Sequence, residues 1–585
     1  MFGPTWSCSE RRHPVRVEAG GRIPLADGTT LAGSWFRPDT DAPVPAILSV
    51  HAYNNEFQLA PIHPAGFSYQ RGWIEAGDPA FFARRGYAHG VFNVRGIGAS
   101  SGEFQAMGPR EVDDIVEAIA WIAAQPWCSG QVAMFGISYF ASIQLHVAMR
   151  RPPALRAIFC PFGLTDFYRD MFYHGGILSH RFLLQWKDKF DAVRYRSWFR
   201  ERHGEAAYRA ALQRALDDEE ISEVPGLVAA LRHPEGADAF LADIVIQPFD
   251  DTFYAERRVD YGATDVPAYL GACWGLFGLH LPGAFRSWAR WQGPKKLLVG
   301  PPLYLDRPLT QLHHEALRWF DHFLLGNDTG FLDEPPIRLF VPGRATWRSA
   351  SRWPLPETRW MPFFLHEQQL LHEHDPWPLE RSTSFEESPF GHGEAVFRTA
   401  PMVEDTVVMG PFVLELWCRT TDTELLLHAS VFAAAADGSE EELTRGWLRA
   451  SHREVDPLAS EPWRPHHPHR RHQPVVPLEL LQLRVDLCPG ARRLAPGDRL
   501  GLRLKGADDE PPPDAIRGAG YGHLQRPTAA RIEVCHDEDH ASRLLVPVVE
   551  GNVLGTFLSG GALPPAIGPL PIAKFRRPKG ESAQG

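Results

Sequence analysis

The stretch Val132-Ala-Met-Phe-Gly-Ile-Ser-Tyr-Phe-Ala-Ser-Ile-Gln144 decides the fold of this chain. Its first four residues are apolar and typical of a buried strand, and a helical pattern follows through Ala148. A serine between a strand and a helix, here Ser138, predicts a nucleophile elbow. Gly136 can adopt the strained backbone of such a turn and leaves room for the serine side chain. Phe140 replaces the last glycine of the usual Gly-x-Ser-x-Gly motif, so the pentapeptide alone also fits an ordinary serine at a strand end.

Apolar strands and helical segments alternate on both sides of this elbow. The runs 45–50, 87–94 and 155–159 are short and mostly apolar, as expected of strands inside a parallel sheet. The segment 111–124 has apolar residues at helical spacing. The alternation predicts an α/β fold with a doubly wound sheet. Ligands of such sheets bind at the carboxyl ends of the strands, where Ser138 and Tyr53 are expected to meet.

Length, charge and cysteine content narrow the class of protein. A chain of 585 residues is too long for one hydrophobic core and predicts two or three domains. The net charge of −11 argues against a general nucleic-acid-binding protein. The seven cysteines are scattered and include no Cys-x-x-Cys pair, which argues against a disulfide framework and a structural zinc site. The N-terminus lacks the apolar core of a signal peptide, and no run of 18 apolar residues occurs. We therefore expect a cytoplasmic protein.

The patterns along the chain predict four parts. Residues 1–164 and 260–330 form the sheet domain, and residues 165–259, which are aromatic-rich and mostly helical in pattern, form a helical cap inserted into it. Residues 331–563 contain many short alternating segments broken by proline and glycine, which predict an all-β sandwich or jelly roll. Residues 564–585 are rich in proline, glycine and charge and are expected to be a flexible tail.

Seven further motifs follow one another along the chain: Asn93-Val-Arg-Gly-Ile-Gly-Ala-Ser100, Ala124-Gln-Pro-Trp-Cys128, Met134-Phe-Gly-Ile-Ser-Tyr139, Trp319-Phe-Asp-His322, Asp333-Glu-Pro-Pro336, Trp447-Leu-Arg-Ala-Ser-His452 and Ser542-Arg-Leu-Leu-Val-Pro547. In these motifs the chain resembles the cocaine-esterase-like hydrolases related to X-prolyl dipeptidyl aminopeptidases. The resemblance covers roughly residues 14–549. It implies an α/β-hydrolase domain, a helical cap and a C-terminal jelly roll, and it implies cleavage of esters or amides through an acyl-serine.

The resemblance also assigns roles to three residues. Ser138 matches the nucleophile of the family. The backbone N–H of Tyr139, which directly follows the nucleophile, would be one donor of the oxyanion hole. Tyr53 matches the family's tyrosine whose hydroxyl supplies the second donor, although a loop aromatic packed against the cap is the alternative interpretation.

The acid and the base of the family's triad are missing from their usual positions. The acid is expected in the segment 271–280, which contains no carboxylate, and Cys273 and Gly275 stand where related sequences carry aspartates. The histidine is expected after the next strand, where this chain has Tyr304. A serine is a weak nucleophile without a base, so the identity of the base is the main open question.

Three histidines are candidates for this base. We rank His313 first, because it begins a helix after the last strand of the sheet, and then His280 and His51. A structural or capping histidine is the alternative for each of them. Asp306 is the only carboxylate in the loop before His313 and is the candidate orienting acid, whereas a glutamate at 315 fits a first-turn helix charge. On this ranking, His313→Ala slows acylation far more than His280→Ala.

The other groups of aromatic residues and histidines in the sequence predict few additional sites. His51, Trp274, Phe167 and Tyr168 are expected to line a substrate pocket for an apolar or aromatic group, although the cap aromatics fit a cap core equally well. The histidines at 466–472 lie among prolines and arginines without cysteines or carboxylates and are interpreted as a loop. We expect no metal and no cofactor, a small-molecule ester or amide substrate, no nucleic-acid or membrane partner, and a homodimer as one possible assembly.

Three functions fit this sequence. The first is a serine hydrolase acting through Ser138. The second is an acyltransferase or another specialised tailoring enzyme on the same scaffold, in which the cap keeps water away from the acyl-enzyme. The third is a non-catalytic relative whose triad has decayed. The missing acid and base favour the third function, and the retained elbow and Tyr53 argue against it.

Overall fold

The computed structural model describes residues 8–59, 72–190, 193–262, 264–301, 312–508 and 522–551. Strands and helices are numbered in chain order. One sheet of ten strands organises the first part of the chain, in the spatial order β1-β2-β4-β3-β5-β6-β9-β10-β11-β12. The strands are β1 Val15–Pro24, β2 Thr30–Pro38, β3 Val44–His51, β4 Ala88–Asn93, β5 Cys128–Phe135, β6 Leu155–Pro161, β9 Ala268–Cys273, β10 Lys295–Gly300, β11 Ile337–Val341 and β12 Thr346–Ala350.

Seven neighbouring strands of this sheet run parallel, in the spatial order β4-β3-β5-β6-β9-β10-β11. Antiparallel strands flank them at both edges. Helices cover both faces of this sheet, so its strands are apolar on both sides, as predicted. Along β5, Val132 and Met134 belong to one core cluster and Ala133 and Phe135 to the other. The first face carries α3 Pro109–Ala123, α4 Tyr139–Met149 and α11 Leu281–Arg290, and the second carries α2 Pro79–Ala83 and α12 His313–Leu325.

The predicted α/β fold is therefore confirmed, including the strand–turn–helix around Ser138. The predicted domain division stays a prediction, but the sheet itself continues beyond residue 330. β11 pairs in parallel with β10, and β12 closes the edge as an antiparallel hairpin partner. The sequence of the short run 338–341 predicts a strand but not the sheet to which it belongs, because a local pattern does not show which distant strand it pairs with.

The segment between β6 and β9 is mainly helical, as predicted. Its helices are α5 His180–Lys187, α6 Trp198–Leu216, α7 Glu219–Ser222, α8 Pro225–Arg232, α9 Ala237–Val245 and α10 Thr252–Ala255. The start of this segment departs from the helical pattern. Residues Tyr168–Phe172 form a π-helical turn, and β7 Tyr173–His174 and β8 Ile177–Leu178 form a small hairpin. Gly175 and Gly176 both have positive φ angles, 56° and 87°, which suits the two central residues of a tight hairpin.

The C-terminal part is β-rich, as predicted. Its strands are β13 Arg359–His366, β14 Leu370–His372, β15 Ser382–Ser388, β16 Gly391–His392, β17 Ala395–Arg398, β18 Thr406–Thr420, β19 Leu426–Ala434, β20 Glu440–Arg449, β21 Leu481–Leu494, β22 Arg499–Lys505, β23 Ala530–Cys535 and β24 Arg543–Glu550. They enclose a hydrophobic core of their own.

The short helix α1 Asn55–Leu59 follows β3. None of the described helices is long and apolar enough to cross a membrane, and the expected tail lies outside the described residues.

Candidate active site

Ser138 lies at a strained turn between β5 and α4. Its φ and ψ angles are 59° and −120°, a conformation that non-glycine residues rarely adopt. Gly136, with a φ of 139°, makes the turn possible. A Cβ atom on Gly136 would lie 2.5 Å from the Cβ of Phe140 and 3.0 Å from the carbonyl oxygen of Glu75. The sharp turn thus places the Ser138 side chain at the carboxyl end of the central strand, as the sequence predicts.

A serine in the first turn of α4 holds the elbow in place. The Ser142 hydroxyl donates a hydrogen bond to the Ser138 carbonyl (2.8 Å) and accepts one from the Leu164 N–H (2.7 Å). Phe140, at the position of the missing glycine, stacks on His51 with a ring separation of 4.7 Å. The aromatic pair fills the space in which the usual motif has no side chain.

Two hydrogen-bond donors lie next to Ser138. Tyr139 is the first residue of α4, so its backbone N–H has no partner within the helix. The Tyr53 hydroxyl lies near the Ser138 side chain, whose influence acts to lower the pKa of the Tyr53 phenol against the larger effect of burial. The indole N–H of Trp186, one of the cap aromatics, donates to the same Tyr53 oxygen at 3.4 Å.

Tyr53 is held rigidly and stays protonated. Only 3% of the residue is exposed, and the Asn93 amide donates to its carbonyl oxygen at 3.0 Å. Its ring lies 5.8 Å from Phe57 and 5.9 Å from Tyr139. Burial raises the pKa of Tyr53, and the nearby charge of Glu75 raises it further. A phenol that resists ionisation is suited to donate a hydrogen bond to a developing negative charge.

The Tyr139 side chain, unlike its backbone N–H, supports the elbow. Its hydroxyl donates to the Glu111 carboxylate at 2.6 Å in a fully buried contact. Burial raises the pKa of Glu111 to about 7. Glu111 and Glu75 were both missed in the sequence, because neither lies in a motif and only the folded chain brings them to the elbow.

No histidine ring forms a hydrogen bond with the Ser138 hydroxyl within the described part of the chain. His313 lies under α2, where its Nε2 accepts a hydrogen bond from the Asp78 backbone N–H at 3.0 Å, and it stacks on Phe81 at 4.8 Å. His51 accepts a hydrogen bond from the Tyr53 backbone N–H at its Nδ1 (3.2 Å). Burial lowers the pKa of each ring to about 3, so both are neutral at physiological pH.

The other predicted site residues are more scattered. His280 is buried at the start of α11, with its ring 5.9 Å from Phe162 and its pKa lowered to about 3 by burial. The Trp274 indole donates to the Phe340 carbonyl at 2.8 Å. Asp306 and Tyr304 lie outside the described residues. The base and acid assignments therefore stay predictions.

The cap aromatics pack mainly on one another. The Tyr168 hydroxyl donates to the Pro248 carbonyl at 2.9 Å, and its ring stacks on Tyr173 at 5.0 Å. Phe167 is 1% exposed and lies 5.5 Å from Phe172. These contacts are typical of a cap core, and a role in the substrate pocket stays a prediction for both residues.

One group of side chains in the described residues has the composition of a metal site: His428, Asp508 and His523. The Nδ1 of His523 lies 2.6 Å from an Asp508 carboxylate oxygen, and its Nε2 lies 2.8 Å from the Nδ1 of His174. Ligand atoms that share a zinc ion at about 2.0 Å must stand more than 3 Å apart. Both separations are those of hydrogen bonds: the contact with Asp508 lies within the β-rich part, and the contact with His174 joins that part to the cap.

A strained serine at the carboxyl edge of a doubly wound sheet, with a cap inserted between its strands, defines an α/β-hydrolase. Comparisons with known proteins give the family. Residues 27–302 match the family model of the X-Pro dipeptidyl-peptidase (S15 family), and residues 329–544 match that of the X-Pro dipeptidyl-peptidase C-terminal non-catalytic domain. The chain belongs to this family of cocaine-esterase-like and X-Pro dipeptidyl-peptidase-like hydrolases, and it is a serine hydrolase of ester or amide bonds.

Individual relatives agree with this assignment. The chain is 29% identical to the cocaine esterase of a Rhodococcus species over 377 residues, which cover 60% of this chain and 62% of the relative. It is 25% identical over 606 residues to a Mycobacterium bovis protein named as a serine esterase, covering 90% of this chain and 95% of that protein. The fold resembles that of a CocE/NonD family hydrolase from Staphylococcus aureus, with a TM-score of 0.73, 23% identity and coverage of 92% and 94%.

Proposed function

We propose that Ser138 is the nucleophile with which this hydrolase forms an acyl-enzyme. The observation that carries this proposal is the backbone of Ser138, which is strained at a φ of 59° between the central strand and a helix N-terminus. Strain of this kind persists where the surrounding structure holds it for a function. Gly136 and the Ser142 hydroxyl supply that support.

The oxyanion hole is the second element of the proposal. As the Ser138 oxygen attacks a substrate carbonyl, the carbonyl oxygen becomes negative and is stabilised by the Tyr139 N–H and the Tyr53 O–H. The closeness of the Tyr53 hydroxyl to the Ser138 side chain supports this role, since the hydroxyl can donate to an oxygen bound beside the serine. Donors of this type are each worth about 2.7–4 kcal/mol in other hydrolases.

The substrate is proposed to be a small ester or amide with an apolar or aromatic group. The aromatic residues around the Tyr53 hydroxyl, namely Phe57, Trp186 and Phe190, support this choice. We further propose a cytoplasmic location, a jelly-roll topology for the β-rich part, and a homodimer without nucleic-acid or membrane partners. Composition and charge support the location and the absence of nucleic acid.

A fluorophosphonate probe tests the nucleophile. Wild-type protein is expected to be labelled once, and Ser138→Ala is expected to abolish the label without changing the unfolding temperature. Ser142→Ala is the matched control, since it removes a neighbouring hydroxyl that supports the turn but does not face the substrate. Absence of labelling in folded wild-type protein would contradict the proposal and favour a non-catalytic relative. Partition of the acyl group between water and an added alcohol distinguishes a hydrolase from an acyltransferase.

A further inference from the structure

A chain of three hydrogen bonds joins the β-rich part to the loop after β9 through the hairpin of the cap. It begins at Asp508, whose Oδ2 lies 2.6 Å from the Nδ1 of His523. The Nε2 of His523 lies 2.8 Å from the Nδ1 of His174 in β7. The Nε2 of His174 in turn lies 2.6 Å from the carbonyl oxygen of Gly278. The two rings are only 3% and 2% exposed, so the chain crosses three parts of the molecule inside a buried interface.

Both oxygens of the Asp508 carboxylate face hydrogen-bond donors. The Oδ2 also accepts from the backbone N–H of His523 at 2.9 Å, and the Oδ1 lies 3.2 Å from the Nδ1 of His428 and 3.7 Å from the guanidinium of Arg445. Burial acts to raise the pKa of Asp508, but the charges of His523 and His428 hold it well below its usual range. An ionised carboxylate only accepts hydrogen bonds, so Asp508 has no proton to give to the chain.

The opposite end of the chain is an acceptor as well, because the Gly278 carbonyl has no proton. With an acceptor at each end, the three contacts need three N–H protons on the two rings between them. Two neutral imidazoles carry only two such protons. The three contacts of 2.6–2.8 Å are therefore hydrogen bonds at the same time only when one ring is a positively charged imidazolium.

The ring that carries the third proton is His523. Burial and the charge of His523 lower the pKa of His174 to about 3, so His174 is neutral and holds its proton on Nε2, toward Gly278. Burial also lowers the pKa of His523, but Asp508 opposes burial there through its charge and its hydrogen bond. The hydrogen bonds at both nitrogens of His523 exist together only in the charged form. The other titratable groups around the two rings are His428, Arg445, His180 and Arg181.

Backbone contacts fix the place of the two rings. In the strand after Asp508, the Leu524 N–H donates to the Leu178 carbonyl of the cap hairpin at 3.0 Å. At the turn of that hairpin, the Gly175 carbonyl accepts from the Arg449 N–H at 2.9 Å. The hairpin is thus bonded to two separate segments of the β-rich part, one on each side of His174, and the charge lies in an interface that the backbone already holds together.

We propose that His523 carries a buried positive charge paired with Asp508, and that this charge clasps the cap hairpin and the loop after β9 to the β-rich part. Loss of the proton from His523 to solvent breaks one of the three hydrogen bonds. The loop is also held at the preceding residue, where the Cys488 S–H donates to the Phe277 carbonyl at 3.0 Å. Since this loop lies at the carboxyl edge of the sheet that carries Ser138, the clasp makes the link between the β-rich part and that edge dependent on pH.

Urea unfolding at several pH values tests this charge. The variant His523→Gln keeps a side chain that forms hydrogen bonds but cannot become charged. A charged His523 has a folded-state pKa above the unfolded value of about 6.5. Its stabilisation is therefore complete below about pH 6.5 and is lost as the pH rises through the folded-state pKa. The unfolding constant of His523→Gln, divided by that of the wild type, is expected to be largest below about pH 6.5 and to fall by up to about tenfold per pH unit above it.

The matched control is His540→Gln. The His540 ring bonds to Asp537 at 2.8 Å, but the two residues are three positions apart in one loop and are partly exposed. A pair that water screens contributes little to stability, so the same ratio for His540→Gln is expected to stay nearly constant with pH.

The trend of the ratio decides the proposal. A ratio for His523→Gln that stays constant or rises with pH would overturn it, because His523 would then be neutral in the folded protein. If His523→Gln does not fold, Asp508→Asn takes its place, since it removes the counter-charge and keeps the shape of the side chain. The same falling ratio is expected for Asp508→Asn, and a constant or rising one would overturn the proposal. Urea unfolding does not involve Ser138 as a nucleophile, so this result is independent of the probe labelling.

Discussion

Substitution of Tyr53 by phenylalanine tests the oxyanion hole most directly. The change removes one oxygen and keeps a ring that packs 5.8 Å from Phe57, 5.9 Å from Tyr139 and 6.3 Å from Phe190. The transition state loses one hydrogen-bond donor, which costs about 2.7–4 kcal/mol or 10²- to 10³-fold in kcat. The folded state loses the long bond of 3.4 Å from the Trp186 indole and the weaker influence of the Ser138 side chain, a cost of about 1 kcal/mol.

Tyr139→Phe is the matched control for Tyr53→Phe, since both changes remove a buried phenol from one aromatic cluster. The Tyr139 hydroxyl bonds to Glu111 at 2.6 Å, whereas its contribution to the oxyanion hole is the backbone N–H, which phenylalanine retains. The control is therefore expected to lose stability, by about 1–3 kcal/mol, and to change the rate by less than about tenfold.

The assay combines two measurements on each variant. The kcat and kcat/KM for a p-nitrophenyl ester report transition-state stabilisation, and urea unfolding reports the free energy of unfolding. A large rate loss in Tyr53→Phe with near-wild-type stability, and the opposite pattern in Tyr139→Phe, supports the two roles. If Tyr53→Phe keeps its rate within about threefold, or less than about 0.7 kcal/mol, Tyr53 is a packing residue and the hole has a different second donor.

Two further predictions concern the support of the elbow. Burial raises the pKa of Glu111 from 4.5 to about 7. The folded state therefore binds the Glu111 proton more tightly than the unfolded state does. The resulting stabilisation of the fold is complete below pH 4.5 and is lost as the pH rises through 7. We expect about 3 kcal/mol less stability at pH 8 than at pH 4.5 from this group, a difference that Glu111→Gln removes in urea unfolding at both values. Gly136→Ala is expected to destabilise the fold and abolish probe labelling, because the new Cβ meets Phe140 at 2.5 Å, whereas Gly130→Ala, with a φ of 81° and open space around it, shows the backbone cost alone. Equal effects of the two alanines on labelling would contradict the steric argument.

Local patterns predict the parts of this fold whose determinants are local. The strand β5 is an apolar run, and the elbow is a glycine and a serine in a fixed spacing, so both are visible in the sequence. The cap hairpin was missed, although Gly175-Gly176 is a turn signal, because the aromatic residues around it also suit a helix. The extension of the sheet into β11 was missed because a parallel pairing with β10 depends on residues about 40 positions away.

In the candidate site, too, local sequence predicts some of the residues but not the contacts that distant parts of the chain make with them. Ser138, Tyr139 and Tyr53 follow from the elbow and the loop after β3, and the structure brings them together. The partners of His313 do not follow from sequence, because the N–H that occupies its Nε2 belongs to Asp78, 235 positions away. Glu75 lies in an ordinary turn, and its position beside the nucleophile arises only when that turn meets Ile137.

The contacts that support Ser138 lie apart from the loops in which the family carries its acid and histidine. The elbow is held by Gly136, by the Ser142 hydroxyl and by the backbone contact between Ile137 and Glu75. None of these interactions involves the loops after β9 and β10, where the family places its acid and histidine. Cys273 can therefore end β9 as a buried residue without disturbing the geometry of Ser138 or of the two oxyanion donors. Electrostatic stabilisation by such donors survives the loss of a triad member in other serine hydrolases. A scaffold of this kind can lose the usual acid and base and still hold the serine and its two oxyanion donors in place.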